Sequence, residues 1–240
     1  NRGPSRDRRA EVILGPRVSM LEAISRGVGD TVWLRSGVEV FNVFFNELQK
    51  HRRATIQGDQ TEGVDLPVLT LPALPVINPG TQDVEVRRNQ TLTLAPGAYR
   101  KITVQQGATL ILNGVYHIAT LDVKNQGKVH FRGRSEVRIK NEMDTDNRAY
   151  IGPDPAISGL RASDIVLYVE GGDDRRGSGE RDEEVGPTVV QIGTRNTILA
   201  NVYAPNGTVW LKNDTKATGA FIGKRVRIGE HVELTLDSAF

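Results

Sequence analysis

The sequence predicts a right-handed parallel β-helix, a solenoid of short strands, and three observations carry that reading. Apolar-x-apolar units recur at spacings of 17 to 20 residues in separate parts of the chain. Corners bearing glycine lie between them. Aromatics make up only 5 % of the 240 residues while 25 are Gly, a composition that suits a narrow core of small branched side chains with frequent turns.

The clearest stretch runs from Val84 to Ile139. Its units are Val84/Val86, Leu92/Leu94, Ile102/Val104, Leu110/Leu112, Leu121/Val123, Val129/Phe131 and Val137/Ile139. Strict alternation makes each a short strand with one face inward. Leu92 to Leu110 is 18 residues, and Leu110 to Val129 and Ile102 to Leu121 are each 19. Ala95-Pro96-Gly97-Ala98-Tyr99 and Asn113-Gly114-Val115-Tyr116 read as matching corners, where Gly permits the bend. Near the C-terminus, Tyr203-Ala204 and Phe221-Ile222 stand 18 residues apart, Val209/Leu211 and Val226/Ile228 stand 17 apart, and Val232/Leu234/Leu236 forms a last rung. At the start, Val12/Leu14 and Val32/Leu34 are 20 apart, as are Val18 and Val38. A helix competes over Val40 to His51, although its β-branched residues and Phe favour strand. Coils of this size hold about three short strands, stack at about 4.8 Å, and number roughly nine or ten.

This gives an N-terminal arm over 1–10 and a single β-helix domain over 11–240. Three segments interrupt the period. Residues 64–80, VDLPVLTLPALPVINPG, carry Pro67, Pro72, Pro75 and Pro79, which rule out a central strand. Leu66, Leu69, Leu71 and Leu74 still require burial, so the segment reads as an extended strap along the outside of the coil. Residues 142–163 and 171–187 read as loop excursions.

Net charge is +2, with acids interspersed among the bases, which argues against a nucleic-acid groove. No cysteine is present, which excludes a disulfide framework, a thiol nucleophile and a Cys-ligated metal. No apolar run approaches the roughly 18 residues of a membrane span, so no membrane insertion is expected. The chain begins with Asn, as a processed terminus or a piece of a longer protein would.

Chemistry-bearing clusters are sparse. Asp144, Asp146 and Asp154 offer hard oxygen ligands for Ca2+, but their spacing matches no EF-hand loop and turn formation explains them as well. The carboxylates of 171–187 are interleaved with Arg175, Arg176 and Arg181, so a self-neutralising solvated loop fits better than a catalytic pair. His130 lies between inward apolar neighbours and should face outward. No HExxH, GxSxG, P-loop or dinucleotide fingerprint occurs, and no catalytic residue or cofactor is assigned. The basic arm, with Arg2, Arg6, Arg8 and Arg9, suits pairing with Asp173, Asp174, Asp182, Glu183 and Glu184 on the same or another subunit.

The segments Asn201-Val202-Tyr203-Ala204-Pro205-Asn206-Gly207, Thr218-Gly219-Ala220-Phe221-Ile222-Gly223-Lys224 and Thr235-Leu236-Asp237-Ser238-Ala239-Phe240 resemble the ends of an uncharacterised family of bacterial exported β-helix proteins, pilus-associated or adhesin-like. The Leu94-Ala95-Pro96-Gly97-Ala98-Tyr99 corner is similar to that family too. A weaker similarity is to bactofilins, polymerising β-helices. The resemblance implies a secreted or cell-surface bacterial protein and supplies no catalytic residues.

Three functions then compete: a non-enzymatic extracellular structural subunit that assembles with itself into an oligomer or filament; an adhesin or carbohydrate-binding module whose partner is a surface polysaccharide; and a polysaccharide lyase or hydrolase. The first is favoured. A binding module should present aromatics in a row, from Trp33, Tyr99, Tyr116, Tyr150 and Trp210. An enzyme should show converging carboxylates with a base.

Overall fold

The computed structural model describes residues 11–14, 16, 19–20, 26–63, 73–171 and 188–239. The chain forms two compact units, Asn1–Thr70 and Leu71–Phe240. Both are stacks of parallel strands, as the repeats predict.

Unit 1 contains β1 (Glu11–Leu14), β2 (Ser19–Met20), β3 (Arg26–Leu34), β4 (Glu39–Val40), β5 (Asn42–Lys50), β6 (Thr55–Ile56) and β7 (Gln60–Glu62). One sheet runs β7-β5-β3-β1 and a second runs β2-β4-β6. The spacing of 20 holds between β1 and β3, with Val12 opposite Val32 and Leu14 opposite Leu34. Val18 lies outside the described residues, so its pairing with Val38 is not assigned. Residues 42–50 form a strand, and the competing helix is excluded. Burial of Val43 and Phe45 on one face of that strand explains why.

Unit 2 contains β8 (Val84–Val86), β9 (Thr91–Thr93), β10 (Gly97–Val104), β11 (Thr109–Leu112), β12 (Val115–Val123), β13 (Lys128–Phe131), β14 (Ser135–Thr145), β15 (Tyr150–Pro153), β16 (Ile165–Val169), β17 (Thr188–Ile192), β18 (Thr197–Leu199), β19 (Asn201–Leu211), β20 (Lys216–Thr218), β21 (Phe221–Ile228) and β22 (Glu233–Thr235). A wall of long strands runs β8-β10-β12-β14-β16-β19-β21, with β17 beside β14 and β19. The opposing sheet has 7 strands, β9-β11-β13-β15-β18-β20-β22. Many long strands bend midway, at register shifts such as Ile118/Thr120 and Ala204/Thr208, which divides the wall into two faces. Each such coil is therefore three-sided.

The inward ladders are those read from the sequence. Leu92, Leu110 and Val129 are in register, as are Ile102 and Leu121. Leu110, Leu112, Val129 and Phe131 are fully buried, whereas Leu92 and Leu94 on the first coil are only half-buried. Two expected alignments shift. Gly97 is level with Tyr116, so the two Tyr corners are out of step. Tyr203 is level with Ile222 rather than Phe221, because Pro205-Asn206-Gly207 forms the bend and absorbs the offset.

One corner repeats down the unit with a left-handed residue on each coil: Asn89, Gly107, Gln126, Arg148, Arg195, Asp214 and His231. Each N–H there from Asn89 to Asp214 donates to a carbonyl of the next coil, for example Gln126 to Asn147 at 3.0 Å and Arg148 to Thr194 at 3.0 Å. These bonds offset the roughly 1–2 kcal/mol that a non-Gly residue incurs in this conformation. Gly207, in the opposite wall, has another role: a Cβ there would lie 2.4 Å from the Val189 side chain, so only glycine lets the bend close on β17.

The excursion expected over 142–163 is shorter. Glu142–Thr145 and Tyr150–Pro153 belong to strands β14 and β15, and the departure begins at Asp154. Outward-facing polar residues on these strands had disguised them as loop. Most of the excursion over 171–187 lies outside the described residues. So do Leu66, Leu69 and Leu71 of the strap; Leu74 is half-buried. From 73 to 80 the strap is extended without ladder partners and crosses successive coils of unit 2. Gly80 N–H donates to Tyr99 O (3.2 Å), Asn78 N–H to His117 Nδ1 (3.2 Å), and the Arg138 guanidinium to Val76 O (3.5 Å). Ile77 is its buried anchor.

Candidate functional site

The predicted calcium ligands do not converge. Asp144 faces outward on β14 and accepts from Gln191 Nε2 at 2.8 Å. Asp146 sits at the following corner. Asp154 is buried and already engaged: Arg132 Nε donates at 2.8 Å and Ala156 N–H at 3.1 Å. Those two bonds, the guanidinium first, hold its carboxyl below the usual range. Its role is a turn and an ion pair. Among the described residues no group of three His, Asp or Glu is placed to hold a metal ion.

Beside Asp154, His130 faces outward as expected but is largely covered. Its ring meets Tyr150 edge-on at 5.3 Å, and Nδ1 lies 3.7 Å from Asp154 Oδ1. Burial is the larger influence and holds the imidazole below its ordinary pKa, while Asp154 pulls the other way.

On the long wall, Asp122 and Asp144 stand level on adjacent coils. Asp122 is engaged by Lys124 Nζ at 2.7 Å and by Lys101 Nζ at 3.5 Å. Contact with this carboxylate raises the Lys124 pKa. Further along, Trp210 stacks against Arg227 (4.2 Å) and Lys212 (4.6 Å).

The expected row of aromatics is broken. Tyr116 is inside the coil, where its hydroxyl donates to Leu94 O (2.7 Å) and accepts from Asn113 N–H (3.0 Å). Tyr150 is tied to Pro153 O and Tyr99 to Ala95 O.

The C-terminal motifs form a clasp that the sequence did not reveal. Asn201 is fully buried and uses all four of its hydrogen-bonding positions. Nδ2 donates to Ala162 O (2.8 Å) and Asp237 O (3.2 Å); Oδ1 accepts from Ala220 N–H (2.9 Å) and Ala239 N–H (3.1 Å). Burial pushes the Asp237 carboxyl up, but Ser163 and Arg161 outweigh it and the group sits below its usual range.

The sheet ends are the remaining candidates. β8 and β9, the first coil of unit 2, each terminate their sheet. The edge of β8 reads Asp83-Val84-Glu85-Val86-Arg87-Arg88, with valines at ladder positions, acids before them and bases after. Arg87 and Arg88 are exposed and make no ion pair among the described residues. In unit 1, β6 and β7 also end their sheets. There Gln60 and Glu62 occupy the ladder positions of Val43 and Phe45 and are exposed.

The proposed assembly residues Arg2, Arg6, Arg8, Arg9, Asp173, Asp174, Asp182, Glu183 and Glu184 lie outside the described residues. Compared with protein-family models, curated proteins and solved structures, the chain matches none.

Proposed function

We propose that this protein is a non-enzymatic structural subunit of the bacterial cell surface, which associates with a second copy through the first coil of unit 2. The observation that carries the reading is the charge order along the β8 edge. A strand edge with unpaired backbone groups templates another strand. Along Asp83 to Arg88 the acids precede the bases, so the edge is complementary to itself only when two copies meet antiparallel about a two-fold axis. Centring that axis on Val86 sets Glu85 opposite Arg87 of the second copy. Such a contact is isologous and closes as a pair. The placement at the surface draws on the resemblance of the C-terminal segments to exported β-helix proteins.

Sedimentation equilibrium on the full chain tests the reading. Wild type should be dimeric at high concentration and dissociate more readily in high salt. Glu85→Arg alone and Arg87→Glu alone should each give monomers, and the double swap should restore the dimer. Unchanged association in the single variants, or a wild type monomeric throughout, would overturn it.

A further inference from the structure

Unit 1 holds a cleft of about 650 Å³ at the corner where its strands end. Successive coils contribute one part each: Pro16 follows β1, Trp33 and Arg35 stand at the end of β3, and Gln49, Lys50 and His51 stand at the end of β5. The volume lies within the range of small-molecule sites, about 300–1,000 Å³.

The lining is chemically one-sided. Among the described residues it contains Arg35, Lys50 and His51 and no acid. Arg35 and Lys50 are both exposed and neither has an ion-pair partner among the described residues. His51 Nδ1 accepts Arg53 N–H at 3.2 Å, which leaves Nε2 as its outward donor. Gln49 donates to Glu47 at 3.1 Å and keeps its carbonyl oxygen for a ligand, and Ser36 adds a hydroxyl. Trp33, half-exposed, offers a flat apolar wall.

We propose that this cleft binds a carboxylated saccharide, with a sugar ring against the Trp33 indole and its carboxylate between Arg35 and Lys50. A free phosphate or carboxylate would have no use for the indole. A nucleic-acid strand would need aromatics for successive bases and a basic track beyond the cleft. Here one aromatic stands among cations, and neutral Gln49 and Ser36 match ring hydroxyls. The arrangement of a flat apolar body and a few fixed polar groups is how such sites set orientation. This site is independent of the β8 edge, so it holds whether or not the chain dimerises.

Isothermal titration of the full chain with trigalacturonate, its methyl ester and a thymidine hexanucleotide tests the proposal. Trigalacturonate should bind, and the ester, which keeps the rings and loses the charge, should bind at least about tenfold more weakly. Arg35→Gln and Lys50→Gln should each weaken trigalacturonate by about tenfold, with melting midpoints unchanged because both side chains are exposed. Trp33→Phe should weaken both saccharides and Trp210→Phe neither. Absence of trigalacturonate binding to wild type, equal affinity for the ester, insensitivity to Arg35→Gln and Lys50→Gln, or equal binding of the hexanucleotide would each overturn it.

Discussion

The first coil of unit 2 and the last coil of unit 1 share a backbone plan and differ in what occupies the ladder positions. On β8 these are Val84 and Val86, in line with Ile102 and Val104 behind them. On β7 they are Gln60 and Glu62, in line with Val43 and Phe45. Inward-pointing polar and charged residues on an edge make a further strand unfavourable, because stacking would bury them without partners. One edge is thus blunted and the other is not. The lesson is that in a parallel stack the hydrogen-bonding edge is generic, while the two or three side chains in its ladder decide whether anything adds to it.

The largest expected effect concerns the interior of a ladder. Leu110 is fully buried between Leu92 and Val129. Leu110→Asp should cost at least about 4 kcal/mol and unfold unit 2, because it places an unpaired charge in an apolar ladder. Leu92→Asp, one coil away at the end, should leave a folded protein. Urea melts followed by circular dichroism would show this; equal damage from both would remove the distinction between end and interior.

Next in size is the clasp. Asn201→Leu strands the carbonyls of Ala162 and Asp237 and the amides of Ala220 and Ala239, and should cost about 2–4 kcal/mol by the same melts. A loss below about 0.5 kcal/mol would mean that water replaces these bonds without cost.

A third substitution reverses the blunted edge. Gln60→Val with Glu62→Val should make the β7 edge resemble β8 and produce larger species in light scattering, growing with concentration. If the double variant scatters as wild type does, polar ladder residues are not what protects that end.

The smallest effect concerns His130. Because its folded pKa is depressed, the unfolded chain takes up the proton first as pH falls. Its contribution is in place above the ordinary His value of about 6.5 and is lost as pH falls through the lower folded value. His130→Gln should therefore flatten the stability profile below about pH 6.5 while changing little at pH 7.5. An unaltered profile would show that the ring is not protected from protonation.

The ladders were legible because alternation and spacing record directly which side chains face inward: Ile102/Val104 and Leu121/Val123 needed nothing more. Other features left weaker traces. Tyr116 reads as a surface aromatic because its hydroxyl is satisfied by a backbone carbonyl, Leu94 O, which no pattern of side chains reveals. The bend at Pro205-Asn206-Gly207 takes up two more residues on β19 than on β21, so the register passes from 19 before it to 17 after it, and the spacing of 18 between Tyr203 and Phe221 matches neither. The left-handed corner escaped notice because Gln126, Arg148, Arg195 and His231 are chemically unlike; the shared property is a backbone angle. Of the candidate sites, the β8 edge is visible in the sequence only as alternating valines, and of the cleft only Trp33 stands out, as one aromatic of a saccharide-binding module, since its walls come from separate coils.

Hydrogen exchange as a function of protein concentration tests the central claim most directly. Peptides covering 84–94 and 108–123 would be compared at low and high concentration, in wild type and in Glu85→Arg. Protection over 84–94 should rise with concentration in wild type only, while 108–123 stays constant in both. Protection over 84–94 that does not change with concentration, or that rises equally in Glu85→Arg, would contradict an association through the first coil.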